Sequence, residues 1–471
     1  PPAALSLPRA PPPVAVAAAR RPHAASSAVS RPRIIVSSHH HHRAPRGLRP
    51  QLPARRRAGG GCGRERCLRL EATAFLSPEA AMAGLALALG GMVVAAVSRA
   101  RSLAARPEVL YSRTPFNDRV MQRCTSASEE YKPFPGLTNP HVETILASLL
   151  RSNPDVKFRR ECLLMDDGGC VALDWPMSVE GKLAEEWPEL PSDAPVFVLF
   201  PGLTGGSHDT YPRHLLCRLR RSGYRAVVFN SRATSDSPVT TPQFYSASFT
   251  GDSRAVVQHV RDLYPRSHIF GAGWSLGANI MLRYLGEAGE HSHMSAAISM
   301  CNPFNLEVSN ANLKVGFNNF YDWNLAQSLK KILGGHDKIF NAYRGKYDLS
   351  KIKNQKTIRE FDEGITHISF GWESVDEYYA GSGSCYSVPH LQVPTLCIQA
   401  ADDPIAPANA IPYAELEAND KCALVVTPTG GHLGWCSGED APFGAPWTDT
   451  LCLEYIKAIE VELGPYQEPE A

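Results

Sequence analysis

The sequence predicts an α/β fold, a mostly parallel central sheet flanked by helices, and three observations carry that expectation. Apolar runs suited to buried strands alternate with stretches of helical periodicity from Val196 onward, the pattern of a parallel sheet covered on both faces. The pentapeptide Gly273-Trp274-Ser275-Leu276-Gly277 follows an apolar β-type run, His268 to Ala272, and precedes a helix-patterned one, which is the form of a strand-to-helix turn presenting a nucleophile. About 90 residues then separate Met300 from the next strand-like run, far more than an ordinary crossover needs. Residues 302–391 are therefore expected to form a helical lid insertion.

Taken in chain order, residues 1–79 form an Arg/Ala/Pro-rich leader that is nearly free of acids up to about residue 70 and cannot build a core. It reads either as an organelle transit peptide, which would direct the protein to a plastid, or as sequence upstream of a start at Met82. His39, His40, His41 and His42 lie inside it and read as low complexity rather than as a metal site. Ala80 to Val97 is uncharged, of about the minimum length for a span, and is followed by Arg99, Arg101 and Arg106. Residues 80–98 are thus expected to be a single-pass membrane anchor, with a cleaved targeting segment or a buried helix as the competing readings. A start at Met82 would place the arginines and the main domain in the cytosol, whereas a retained basic leader opposes that orientation.

Residues 106–465 are expected to be one domain. Asn139 is suited to cap a short helix opened by Pro140, an arm packed on the main body. Cys162 to Trp175 reads as a hairpin turning at Asp167-Gly168-Gly169. Strands are expected at Val196–Phe200, Arg225–Phe229, at the run entering Gly273, at Ser295–Met300, Thr395–Gln399 and Ala423–Thr427. Helices are expected at Tyr211–Ser222, Asp252–Tyr264 and Thr448–Val461.

Composition narrows the function. A formal net charge of +1 gives no global field for nucleic acid or a charged polymer. Twelve cysteines without a C-x-x-C pair argue for buried thiols rather than zinc or a disulfide framework, so no metal and no cofactor are expected.

A serine hydroxyl is a poor nucleophile at neutral pH and needs a base, an orienting acid and donors for the developing oxyanion. In doubly wound hydrolases these follow in the order Ser, acid, His. His432, in Gly430-Gly431-His432-Leu433-Gly434, is the sole histidine beyond the penultimate strand and is expected to be the base, its glycine-flanked loop swinging the imidazole over Ser275. The acid is expected from Ala401-Asp402-Asp403-Pro404, where loops of such sheets face ligands. Asp403 is favoured, with Asp402 left to cap the turn or the helix near Pro407. The oxyanion donors are expected to be the backbone N–H groups of Leu276 and Leu203, the latter in Pro201-Gly202-Leu203-Thr204-Gly205-Gly206. Gly202, Gly273 and Gly277 permit the close backbone approaches. His208 and Asp209 either touch substrate or cap the following helix, the second being favoured. Phe317, Phe320, Tyr321 and Trp323, at helical spacing in the insertion, read as an acyl-chain wall or, for most of them, as the core of the lid.

With these residues in place the chain resembles α/β-hydrolase superfamily members of the AB hydrolase 4 family. The resemblance rests on Asn139-Pro140-His141, Pro201 to Ser207, Gly273 to Gly277, Ile358-Arg359-Glu360-Phe361-Asp362, Tyr378-Tyr379, Asp402-Asp403-Pro404 and Gly431 to Gly434, in family order over roughly residues 108–460. The family includes plant embryogenesis-associated proteins, yeast medium-chain acyl-ethanol ester synthases and animal membrane-anchored esterases and phospholipases. The resemblance implies an α/β-hydrolase fold, ester hydrolysis or acyl transfer on lipid-like substrates, Ser275, Asp403 and His432 as the triad, and an N-terminal membrane anchor. The expected activity is that of a serine lipase or carboxylesterase acting through an acyl-enzyme. The rivals are an acyl-CoA:alcohol O-acyltransferase using the same triad and a hydrolase-fold receptor that binds without turnover.

Overall fold

In the computed structural model, residues 78–177, 189–342 and 346–467 are described, with side chains from residue 88 onward. The basic leader, including His39 to His42, lies outside them up to residue 77.

A nine-stranded sheet runs through the domain in the order β1-β9-β8-β7-β6-β4-β5-β3-β2. Its strands are β1 (Glu108–Tyr111), β2 (Phe158–Leu164), β3 (Cys170–Pro176), β4 (Val196–Phe200), β5 (Arg225–Asn230), β6 (Ile269–Trp274), β7 (Ala296–Met300), β8 (Thr395–Ala400) and β9 (Cys422–Thr427). From β5 through β4, β6, β7 and β8 to β9 every pairing is parallel, while β1 and the β2–β3 hairpin close the edges antiparallel. Strands β4, β6, β7, β8 and β9 are buried along their whole length, which is why they are continuous apolar runs in the sequence. The hairpin turns at Gly168, whose φ of 78° suits glycine.

The flanking helices include α1 (Pro78–Leu103), α2 (Pro115–Gln122), α3 (Pro140–Leu150), α4 (Thr210–Arg221), α5 (Gly251–Leu263) and α6 (Leu276–Ala288). Between β7 and β8 the chain makes a series of helices, among them α7 (Leu306–Leu313), α8 (Asn318–Gly334) and α9 (Val375–Ser382), and α10 (Thr448–Leu463) closes the fold. Two cores form on either side of the sheet: Phe197, Leu215, Phe270, Trp274 and Ile459 lie in one, and Val198, Val256, Met281 and Leu424 in the other. Asn139 caps α3 as its sequence implies, its side chain accepting from the N–H groups of His141 and Val142, with Pro140 in the first turn.

The expected membrane anchor, residues 80–98, is a correction. The segment is helical within α1, but among the described residues no helix is long and apolar enough to cross a membrane.

Candidate active site

The carboxyl ends of the parallel strands gather the residues that the sequence singles out. Ser275 stands between β6 and α6 with φ 53° and ψ −123°, a sparsely populated backbone state costing about 1–3 kcal/mol. The fold over-determines it: the Ser275 N–H donates to the Met300 carbonyl at 2.9 Å, and the Ser275 carbonyl accepts from the Asn279 N–H at 3.1 Å. The flanking glycines serve by their lack of a side chain. A Cβ on Gly273 would lie 2.7 Å from Ala278 Cα, one on Gly277 2.1 Å from the Phe200 carbonyl oxygen, and one on Gly202 3.2 Å from Ser275 Cβ.

The imidazole of His432 bridges serine and carboxylate. Its Nε2 is 3.0 Å from Ser275 Oγ, and its Nδ1 is 2.8 Å from Asp403 Oδ2 and 3.1 Å from Oδ1. Both side chains are buried, so little water competes for these bonds. Asp403 Oδ1 also accepts from the N–H groups of Ile405 and Ala406, each at 2.8 Å, which fixes the carboxylate on its own turn. Asp402 points elsewhere. It does not cap the turn or a helix near Pro407, a role that falls to Asp403; its Oδ1 accepts from the Gly431 N–H at 3.0 Å, and burial pushes its carboxyl up to about 6.

Leu203 and Leu276 flank Ser275 on the cavity wall. The neighbours of Leu203 have committed N–H groups: Gly202 donates to the Tyr211 hydroxyl at 3.0 Å and Thr204 to the Tyr245 hydroxyl at 2.7 Å. Among the described residues the N–H groups of Leu203 and Leu276 have no acceptor, leaving two backbone donors beside the serine. Asp209 departs from its expected role. It occupies the N-cap position of α4 without a side-chain cap bond, and its Oδ2 instead accepts from the Gly206 N–H at 2.9 Å, bracing the same loop.

A cavity of about 710 Å³ opens over Ser275 and His432, within the size range of small-molecule sites. Phe244, Leu325, Leu329, Ile332, Ile358 and Phe361 make much of its wall apolar. Polar side chains line it too, and among them the Asp362 carboxylate, on a π-helical turn, accepts from the Tyr379 hydroxyl at 2.9 Å and the Thr366 hydroxyl at 2.5 Å. Burial pushes Asp362 up to about 6, and among the described residues it has no ion-pair partner within 4.0 Å.

The aromatic cluster of the insertion also differs from expectation. Tyr321 is buried, but Phe317, Phe320 and Trp323 are 51%, 44% and 47% exposed, so they are not the core of the insertion. That core is built from Leu329, Leu333, Phe340, Ile352, Phe361 and Ile365. Residues missed from sequence are Tyr211 and Tyr245, which tether the loop from Pro201 to Gly206, and Glu143, Thr144 and Arg151, which reach the His432 loop from α3. The Asn139 to Thr144 segment gave only a helix start; its contact with His432 is 288 residues distant along the chain.

Among known families, the model described as "alpha/beta hydrolase fold" matches residues 195–435. The chain is 50% identical over 357 residues to the embryogenesis-associated protein EMB8 of Picea glauca, covering 75% of this chain and 77% of that protein. It is 31% identical over 377 residues to the phospholipase ABHD3 of Mus musculus, 80% of this chain and 90% of that one. It is 33% identical over 283 residues to a monoacylglycerol lipase of Saccharomyces cerevisiae, 59% of this chain and 62% of that one.

Proposed function

The chain belongs to the α/β-hydrolase fold family, and from that premise we propose that it is a carboxylic ester hydrolase that cleaves lipid esters with Ser275 as nucleophile. The observation that carries the reading is the continuous hydrogen-bonded line from Ser275 Oγ through His432 to Asp403. His432 takes the proton of Ser275 as Oγ attacks the ester carbonyl, Asp403 holds the imidazole and stabilises its charged form, and the Leu203 and Leu276 N–H groups receive the oxyanion. Collapse expels the alcohol, protonated by His432, and leaves an acyl-enzyme. Water activated by the same histidine then releases the fatty acid.

The cavity supports a fatty acyl chain, and the helices of residues 302–391 that wall it act as its lid. Leu149 and Phe320 both line the cavity and are 71% and 44% exposed, so apolar side chains run from the site out to the surface. With Leu89, Met92, Val93 and Val94 exposed on α1, this supports substrate uptake from a lipid surface. Membrane contact of this kind needs no spanning helix.

Among the polar side chains on the wall, Asp362 and the Tyr379 hydroxyl form a region suited to an alcohol that keeps a free hydroxyl, as a partial glyceride does. The test compares a medium-chain monoacylglycerol with the ethyl ester of the same acid. Asp362→Leu should lower the ratio of the two kcat/KM values by about tenfold or more, the scale of a lost hydrogen bond to a charged group. An unchanged ratio contradicts the headgroup assignment, and wild-type protein inert on both esters contradicts ester hydrolysis itself.

A further inference from the structure

The glycine-flanked loop that carries His432 invites the expectation of a swinging arm, but its surroundings are those of a clamp. Gly431, Leu433 and Trp435 have φ values of 54°, 65° and 45°, and such left-handed states in non-glycine residues persist only where neighbouring structure imposes them. What imposes them here is α3. The His432 N–H donates to Thr144 Oγ1 at 2.9 Å, and the Cys436 N–H donates to Glu143 Oε1 at 2.7 Å. Arg151, just past the end of α3, donates from Nη1 to the Leu433 carbonyl at 2.8 Å and from Nη2 to the Gly434 carbonyl. All three side chains are buried.

Two glycines of the loop, Gly431 and Gly434, also lie close against that helix. A Cβ on Gly431 would lie 2.6 Å from Thr144 Oγ1 and 2.8 Å from the Pro140 carbonyl oxygen, and one on Gly434 would lie 2.7 Å from Glu143 Cγ. They give α3 room to approach rather than giving the loop freedom to move. Burial pushes the Glu143 carboxyl up to about 8. On its other side α3 meets the helical insertion, where His141 Nδ1 is 3.2 Å from the Tyr321 hydroxyl and the rings of His141 and Phe317 are 4.9 Å apart.

We propose that α3 is the positioning element of the catalytic base, with Thr144 as the positioning residue that fixes the backbone of His432 and with Glu143 and Arg151 holding the loop on its C-terminal side. The assignment rests on the reading of Ser275 and His432 as nucleophile and base. Thr144 also lines the cavity, but in this role it acts through the backbone of His432. Removing its hydroxyl lets the imidazole drift from Ser275 Oγ, and a displacement on the order of 1 Å can cost about a hundredfold in rate.

The test uses the full chain with Thr144→Val, which keeps shape and deletes the acceptor, and Thr144→Ser, which restores it. For Thr144→Val, kcat on a medium-chain p-nitrophenyl ester should fall about 10- to 100-fold with KM within about twofold of wild type, as for an interaction felt in the transition state alone. Labelling of Ser275 by a fluorophosphonate should slow in parallel, and Thr144→Ser should recover most of both rates. Wild-type rates in Thr144→Val, or no recovery in Thr144→Ser, overturn the proposal. If Thr144→Val does not fold, Arg151→Gln is carried through the same comparison of kcat, KM and labelling, and wild-type kcat and labelling rates in it overturn the proposal. Ser275→Ala is measured alongside: turnover that survives in it overturns the serine reading and this inference together, whereas a Ser275-dependent enzyme indifferent to Thr144 overturns this inference alone.

Discussion

Ser275→Ala abolishes ester turnover, lowering kcat by about 10⁶-fold, the scale seen when the nucleophile of a serine enzyme is removed. The expectation follows from the environment of the side chain. Ser275 Oγ has His432 Nε2 as its hydrogen-bond partner, and the serine backbone is held by bonds to Met300 and Asn279 that alanine retains. The loss should therefore appear in the chemistry and not in the fold: the thermal midpoint stays within a few degrees of wild type while p-nitrophenyl ester hydrolysis disappears. Substantial activity in the alanine variant, in preparations free of other esterases, contradicts the assignment.

Asp403→Asn lowers kcat by about 10⁴-fold, and Asp402→Asn by less than about tenfold. The two carboxylates are adjacent in sequence, yet only that of Asp403 reaches Nδ1 of His432. An amide at position 403 can present N–H to Nδ1, favouring the tautomer that carries its proton on Nε2 and cannot accept from Ser275. Asparagine at position 402 still offers an oxygen to the Gly431 N–H, so the loop keeps its anchor. Steady-state kinetics on the two variants separates the roles, and equal losses would show that Asp402 shares the work of orienting the base.

Sequence revealed most of the strands for a physical reason. Strands β4 to β9 are buried on both faces or nearly so, and burial on both faces writes itself as an uninterrupted apolar run. Strand β1 left no such mark, because four residues paired at an edge are too few for a period to show. The serine, the histidine and the donor loop were legible because each lies in a glycine-marked turn directly after a strand. Asp402 and Asp403 could not be told apart locally, since the choice depends on which carboxylate the β8 turn aims at a loop 29 residues further on. The aromatic run in α8 gave a helical spacing but not which side of the helix meets the core. Thus Tyr321 turned inward while Phe317, Phe320 and Trp323 remained half exposed. The hold of α3 on the His432 loop was invisible for the same reason that it is effective: it joins residues hundreds of positions apart.

The central claim, an acyl-enzyme on Ser275, is tested most directly by intact and peptide mass spectrometry of protein quenched during turnover of a medium-chain p-nitrophenyl ester. The account predicts one acyl group per chain, carried on the peptide containing Ser275, formed in step with a burst of p-nitrophenol and absent from Ser275→Ala. An acyl group on another residue, or full turnover with no covalent species under conditions where the burst is complete, would contradict it.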